Sequence, residues 1–157
     1  MNQQELSHTL RKEIIAQGRS VQIFASGYSM FPFLKKGDLL TVEPVSMETI
    51  KRGDIVVFEV EEKWIAHRVI KIRNKVEGFE FLLRGDTRTA FDPLVNKENF
   101  LGVVSAFRRL NHQKKLNGPH RRLWTKIILI IFRIYPLVAR VHLRIHLFYL
   151  IQLKGLK

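Results

Sequence analysis

Between residues 21 and 108 the chain consists of short apolar and β-branched runs, cut by glycines at 37, 53, 78 and 85. Runs of this length are too short for an ordinary helix, and glycine at such intervals is the punctuation of an antiparallel β domain. The pattern predicts strands over residues 21–25, 38–43, 54–60, 63–73, 79–83 and 101–107, with Glu61 and Glu62 at a hairpin tip. Ahead of them, Leu6, Leu10, Ile14 and Ile15 recur at helical spacing and Gly18 supplies a stop, so an amphipathic helix is expected over 3–17. The expected fold is mainly β, with a short N-terminal helix and an apolar, basic helical tail.

With 157 residues, 46% of them hydrophobic and 26% charged, the chain can bury one core of ordinary size. It has no cysteine, which excludes disulfides, thiolate metal sites and a cysteine nucleophile. The net charge of +13 is unevenly placed: residues 1–105 hold 15 Lys/Arg against 14 Asp/Glu, and residues 106–157 hold 12 Lys/Arg and no acid. The basic character therefore belongs to the tail and points to an anionic partner. Residues 1–17 are polar and carry no apolar stretch of the length a secretory signal needs.

Four parts follow from these shifts: a helix within 1–20, a core over 21–108, a polar linker over 109–120 and a membrane-associating helical tail over 121–157. Within the tail the longest stretch without Lys or Arg is nine residues, 145–153, against the roughly 20 that span a bilayer. Pro136 would kink a helix here. At about 100° per residue, Arg122, Lys126, Arg133, Arg140 and Arg144 fall within an arc of about 40°. A narrow cationic stripe on an apolar helix suits an anionic membrane surface, with arginines reaching to the headgroups. The tail is too apolar for a nucleic-acid arm, so no nucleic-acid partner is expected. His142 and His146 stand at i, i+4 but have no carboxylate or thiolate nearby as a third ligand, so neither metal nor cofactor is expected. A helical hairpin packed on the core is the competing reading of the tail.

Chemistry is concentrated in four segments: 26–32 with Ser29, 53–58, 65–70 with His67, and 84–86 with Asp86, followed by Asp92. A serine hydroxyl attacks a carbonyl usefully when a base takes its proton, and an imidazole does so best when a carboxylate orients it. Ser29 lies in a Gly/Pro-flanked turn that can expose its hydroxyl, and the alternation of residues 64–69 sets Ile65, His67 and Val69 on one face. Taken singly, each has a structural reading: a turn hydroxyl, a hydrogen-bonded strand histidine, and two turn aspartates.

In order along the chain, however, stand Gly27-Tyr28-Ser29-Met30-Phe31-Pro32, Gly37-Asp38, Gly53-Asp54-Ile55-Val56-Val57-Phe58, His67-Arg68-Val69, Gly85-Asp86 with Asp92, and Gly102-Val103-Val104. Over about residues 21–108 this resembles the signal peptidase I superfamily of serine proteases. The base box separates its branches. A lysine base near neutrality needs a shift of roughly 3 units from about 10.4, on the order of 4 kcal/mol, whereas imidazole starts near 6.5. The His-Arg-Val context is similar to the histidine-base peptidases of the endoplasmic reticulum, archaea and some spore-forming bacteria.

The resemblance implies Ser29 as nucleophile, His67 as general base, Asp92 as the orienting acid and Asp86 as a second carboxylate, with the roles of the two aspartates open to exchange. Two features depart from the family. Gly27 stands where many relatives carry a hydroxyl that helps the oxyanion, leaving the Ser29 N–H as the surer donor. Relatives are usually anchored by a transmembrane helix before the serine box, where this chain has the polar segment 3–17. The implied activity is serine endopeptidase cleavage of a signal or leader peptide, bound extended with small residues before the scissile bond. The expected partners are a peptide or preprotein and an anionic membrane surface, giving peripheral membrane association. The alternative is a non-catalytic, membrane-associated peptide-binding module of the same fold. A self-cleaving regulator is disfavoured because no DNA-binding domain precedes the core.

Overall fold

Four consecutive apolar residues, Ile55 to Phe58, require burial on two faces at once, because successive side chains of a strand point to opposite sides. The computed structural model describes residues 3–76 and 78–116, and in it these four lie fully buried at the start of a strand, Ile55–Val60. Ile55 and Val57 join a core with Ile23, Met30, Leu34, Leu40, Val42, Val104 and Phe107. Val56 and Phe58 join a second with Ile50, Val69, Phe81, Leu83 and Val95. One strand thus serves as the wall between two cores.

In chain order the elements are α1 (Gln3–Ala16), β1 (Val21–Phe24), β2 (Leu39–Glu43), a 3-10 turn (Met47–Thr49), β3 (Ile55–Val60), β4 (Lys63–Lys75), β5 (Gly78–Arg84), β6 (Phe100–Arg109) and β7 (His112–Lys115). The strands form one sheet in the order β1-β2-β6-β3-β4-β5, every pairing antiparallel, with β7 added to β6. A first compact unit runs from Met1 to Gly118. The mainly β fold and the N-terminal helix stand as the sequence predicts, and helix and strand ends agree within two residues. The hairpin tip at Glu61–Glu62 is present, both residues adopting left-handed backbone (φ 49° and 60°) between Val60 and Lys63, the geometry of a tight turn that matches strand twist.

The linker expectation over 109–120 meets a different structure at its start. Leu110 turns the chain with φ 53°, and β7 then pairs Lys115 to Ala106 through His112 to Arg109. All four β7 side chains are exposed, so the strand has no apolar face; backbone pairing holds it, and Leu116 beyond it plugs the first core. Residues 117–120 of the linker and the whole tail, including Pro136, His142 and His146, lie outside the described residues. Among the described residues no helix is long and apolar enough to cross a membrane.

Three register shifts interrupt the ladders, at Thr41/Val42 on β2, Val57/Phe58 on β3 and Val69/Lys71 on β4. Thr41 pairs with Ala106 and Val42 with Val104, leaving Ser105 as an extra residue on β6. Nearby, a Cβ at Gly102 would collide with the Glu43 carbonyl, so only glycine permits β2 and β6 to approach this closely. On β4 the shift falls between Val69 and Lys71, where the strand passes from β3 to β5 as its neighbour.

Candidate active site

Ser29 sits in the loop between β1 and β2. Met30 and Leu34, 4% and 2% exposed, pin that loop into the first core, and Leu34 N–H donates to the Met30 carbonyl at 2.9 Å. With its neighbour Met30 held inside, Ser29 is left half-buried at the surface of the core. His67 projects from β4 opposite Val56 and is itself buried. The expected alternation holds: Ile65 and Val69 pack on the second core, Trp64 and Ala66 on the first, and Arg68 stacks over the Phe33 ring at 5.1 Å.

Three of the four sequence-derived candidates meet. Ser29 Oγ lies 2.8 Å from His67 Nε2, and His67 Nδ1 lies 2.6 Å from Asp92 Oδ2. With the ring proton on Nδ1, the imidazole donates to Asp92 and its Nε2 accepts the Ser29 hydroxyl proton. Asp92 is held by its own N–H donating to the Leu83 carbonyl at 3.0 Å. The separation of 25 positions between His67 and Asp92 is bridged by the β4–β5 hairpin and the loop that returns from it.

Asp86 is placed elsewhere. Both of its carboxylate oxygens accept from Arg68, Oδ1 from Nε at 2.8 Å and Oδ2 from Nη2 at 2.6 Å, while Arg68 Nη1 donates to the Gly53 carbonyl at 3.0 Å. Arg68 is 1% exposed and the Asp86 side chain 2%. A buried guanidinium needs such a fork-to-fork partner. Of the two candidate carboxylates, then, Asp92 touches the imidazole, and Asp86 anchors the loop that follows β5.

That loop bears directly on the serine. Thr87 N–H donates to the Ser29 carbonyl at 2.9 Å, and its hydroxyl lies 3.2 Å from the carbonyls of Tyr28 and Ser29. Gly85 is pressed against both Ser29 and His67: a Cβ there would lie 2.8 Å from the Ser29 carbonyl oxygen, 2.9 Å from Ser29 Cβ and 3.0 Å from His67 Nε2. Thr87, Arg68 in its pairing role and the steric role of Gly85 were not among the candidates. A strand arginine whose alternation turns it inward, followed by a Gly-Asp turn, was the available signal for the ion pair.

Behind the serine loop stands a second ion pair. Asp38 accepts from Arg109 Nε at 2.8 Å, from Arg109 Nη2 at 2.6 Å and from the Lys35 N–H at 2.8 Å. Burial works to raise the Asp38 pKa, but the hydrogen bonds and positive charge of Arg109 and Lys35 prevail and hold it below the ordinary aspartate value. Arg109 also donates to the Phe33 carbonyl at 3.2 Å, tying the serine loop to β6.

Ser29, His67 and Asp92 line a cleft of about 260 Å³ together with Ile23, Phe24 and Ala25 from the β1 segment and Trp64, Ile65 and Ala66 from β4. Among the described residues, β1 pairs only with β2, and residues 63–67 of β4 pair only with β3. The free edges of the two strands therefore border the cleft. The Ser29 N–H donates no hydrogen bond to any described residue.

Comparison with known proteins matches the sequence that carries this geometry to a family. The signal peptidase complex catalytic subunits SEC11C of Homo sapiens, Mus musculus and Canis lupus familiaris are each 41% identical to the chain over 73 residues, 45% of this chain and 38% of the relative. The chain thus spans about two fifths of the length of these relatives. The Peptidase S24-like profile matches residues 2–81, a stretch that carries both Ser29 and His67. Half of the chain lies within that match, and the chain belongs to the Peptidase S24-like family, within the signal peptidase I superfamily.

Proposed function

We propose that the chain is a serine endopeptidase that removes a signal or leader segment from a peptide or preprotein. The unbroken run from Ser29 Oγ through His67 to Asp92, all three lining the cleft, is the observation that carries this reading. His67 Nε2 takes the Ser29 proton as Oγ attacks the scissile carbonyl, and Asp92 steadies the imidazolium that forms. The oxyanion then develops beside the uncommitted Ser29 N–H. Collapse of the tetrahedral intermediate returns the proton from Nε2 to the leaving amine, and water repeats the cycle on the acyl-enzyme.

The two free strand edges support binding of the substrate as an added strand, its backbone pairing with β1 or β4. A cleft of about 260 Å³ is below the usual range for drug-sized ligands and favours small side chains before the scissile bond. Arg68 and Asp86 act as positioning residues through the Gly85–Thr87 turn. The basic, apolar sequence over 121–157 supports attachment to an anionic membrane surface.

A serine-reactive probe and an internally quenched leader peptide together test the reading. Labelling and turnover are expected for the wild type, with Ser29→Ala and His67→Ala each lowering turnover by on the order of a millionfold and the double variant scarcely lower, since the members act as one unit. An unlabelled, inert wild type would instead favour a peptide-binding module.

A further inference from the structure

The cleft is nearly uncharged. Among its lining residues only Asp92 and Arg88 bear a formal charge, and Asp92 is spent on His67. Arg88 is different: its guanidinium has no hydrogen-bond or ion-pair partner among the described residues. Its main chain is nonetheless fixed, because its N–H donates to the Gly85 carbonyl at 3.0 Å, the same Gly85 that abuts Ser29 and His67. The loop that sets the reacting atoms therefore also sets where this cation begins. Arg84, four residues earlier, stacks over Phe91 at 5.1 Å, and the nearest acidic side chain of the loop, Asp86, is closed by Arg68.

We infer that Arg88 selects substrates bearing a carboxylate side chain close to the scissile bond. The inference rests on the peptidase reading of the site and adds a charge preference to it. An extended substrate presents a side chain every 3.3 Å or so along the cleft. Arg88 lines the same cleft as Ser29, so a substrate that passes Ser29 runs along a surface that holds this arginine. A planar guanidinium with all of its donors uncommitted fits a carboxylate in two-pronged fashion. A lysine at the same substrate position would meet like charge, and a neutral residue would gain nothing. Arg88 is exposed, so the preference is modest and screened by salt.

The test uses the full chain and internally quenched peptides with acetylated and amidated ends, identical but for Glu, Gln or Lys at each position flanking the cleaved bond. At one flanking position the wild type is expected to show kcat/KM about fivefold higher for Glu than for Lys, with Gln between and the gap narrowing in about 0.5 M salt. Arg88→Glu is expected to reverse that order and Arg88→Lys to keep it. An Arg88→Glu variant with the wild-type order, or one that loses equally on all three peptides, overturns the inference. If the wild type cleaves none of them, the peptidase reading fails by itself. The same peptides are then ranked by fluorescence anisotropy on the intact chain, where a Glu preference lost in Arg88→Glu upholds the charge selection and its absence overturns it.

Discussion

Gly85→Ala adds one methyl group between the serine and the histidine, and the structure gives the size of the intrusion. The new Cβ would stand 2.8 to 3.0 Å from three atoms of Ser29 and His67, where ordinary contacts need about 3.5 Å. Something must yield by about half an ångström. Neither side yields freely: Thr87 and Met30 hold the serine loop, and Asp92 and the β3 ladder hold the imidazole. The weakest link is the 2.8 Å contact between Ser29 Oγ and His67 Nε2, which leaves the range of a strong hydrogen bond once it lengthens by that amount. The expected outcome is a fall in kcat of about a hundredfold together with a loss of about 1–3 kcal/mol in stability. Both are read on one preparation, by peptide turnover and by urea unfolding. Gly102→Ala serves as the contrast, because its methyl group meets the Glu43 carbonyl, away from the reacting atoms. It is expected to lower stability while the folded fraction keeps its kcat. A Gly85→Ala protein with wild-type turnover would refute the geometry assigned to the site.

The two aspartates are expected to fail in different ways. Asp92→Asn lowers kcat about ten-thousandfold with the fold intact, whereas Asp86→Asn leaves Arg68 buried without its partner and costs about 3–5 kcal/mol, as thermal melts and turnover measured side by side will distinguish. Asp38 governs an acid limb. Its folded pKa lies below the ordinary value of 3.8, so its stabilising contribution is complete above that pH and is lost as pH falls through the lower folded value. Asp38→Asn should therefore flatten the decline of urea-unfolding stability below about pH 3.8, and an unchanged slope would contradict the assignment. For the tail, the full chain is expected to sediment with anionic vesicles and to stay partly bound in high salt, and a chain ending at Gly118 to remain in the supernatant. Binding by the shortened chain would place the affinity elsewhere.

Strand positions and the hairpin tip were readable because glycine and apolar alternation are local signals, whereas the order of the strands in the sheet, with β6 between β2 and β3, was not. The serine, the histidine and a choice of two carboxylates were readable as well. Which carboxylate reaches the ring was not, since Asp86 and Asp92 stand six residues apart in the same loop. Their separation is decided by Arg68, whose claim on Asp86 comes from the opposite face of β4. Asp38 and Arg109 likewise meet only through the register that sets Leu39 against Arg108, a pairing 69 positions apart. β7 escaped notice for a different reason: His112, Gln113, Lys114 and Lys115 have no buried face, and a strand made only of backbone pairing leaves no hydrophobic trace.

The position of β6 in the sheet bears on how such a chain is made. The β1–β2 hairpin, which flanks Ser29, and the β3–β4–β5 meander, which carries His67, share no ladder of their own; β6 lies between them and pairs with both. Each half is local in sequence and can pair early, but the strand that joins them is the last of the three parts to leave the ribosome, and its contacts close long loops. A nascent chain that stops before residue 100 already contains Ser29, His67 and Asp92, with the bridging strand still missing. The two parts that carry the candidate site are therefore joined by a strand that contributes no residue to the Ser29–His67–Asp92 run. Synthesis order thus leaves the Ser29–His67–Asp92 arrangement without its joining strand until β6 is made.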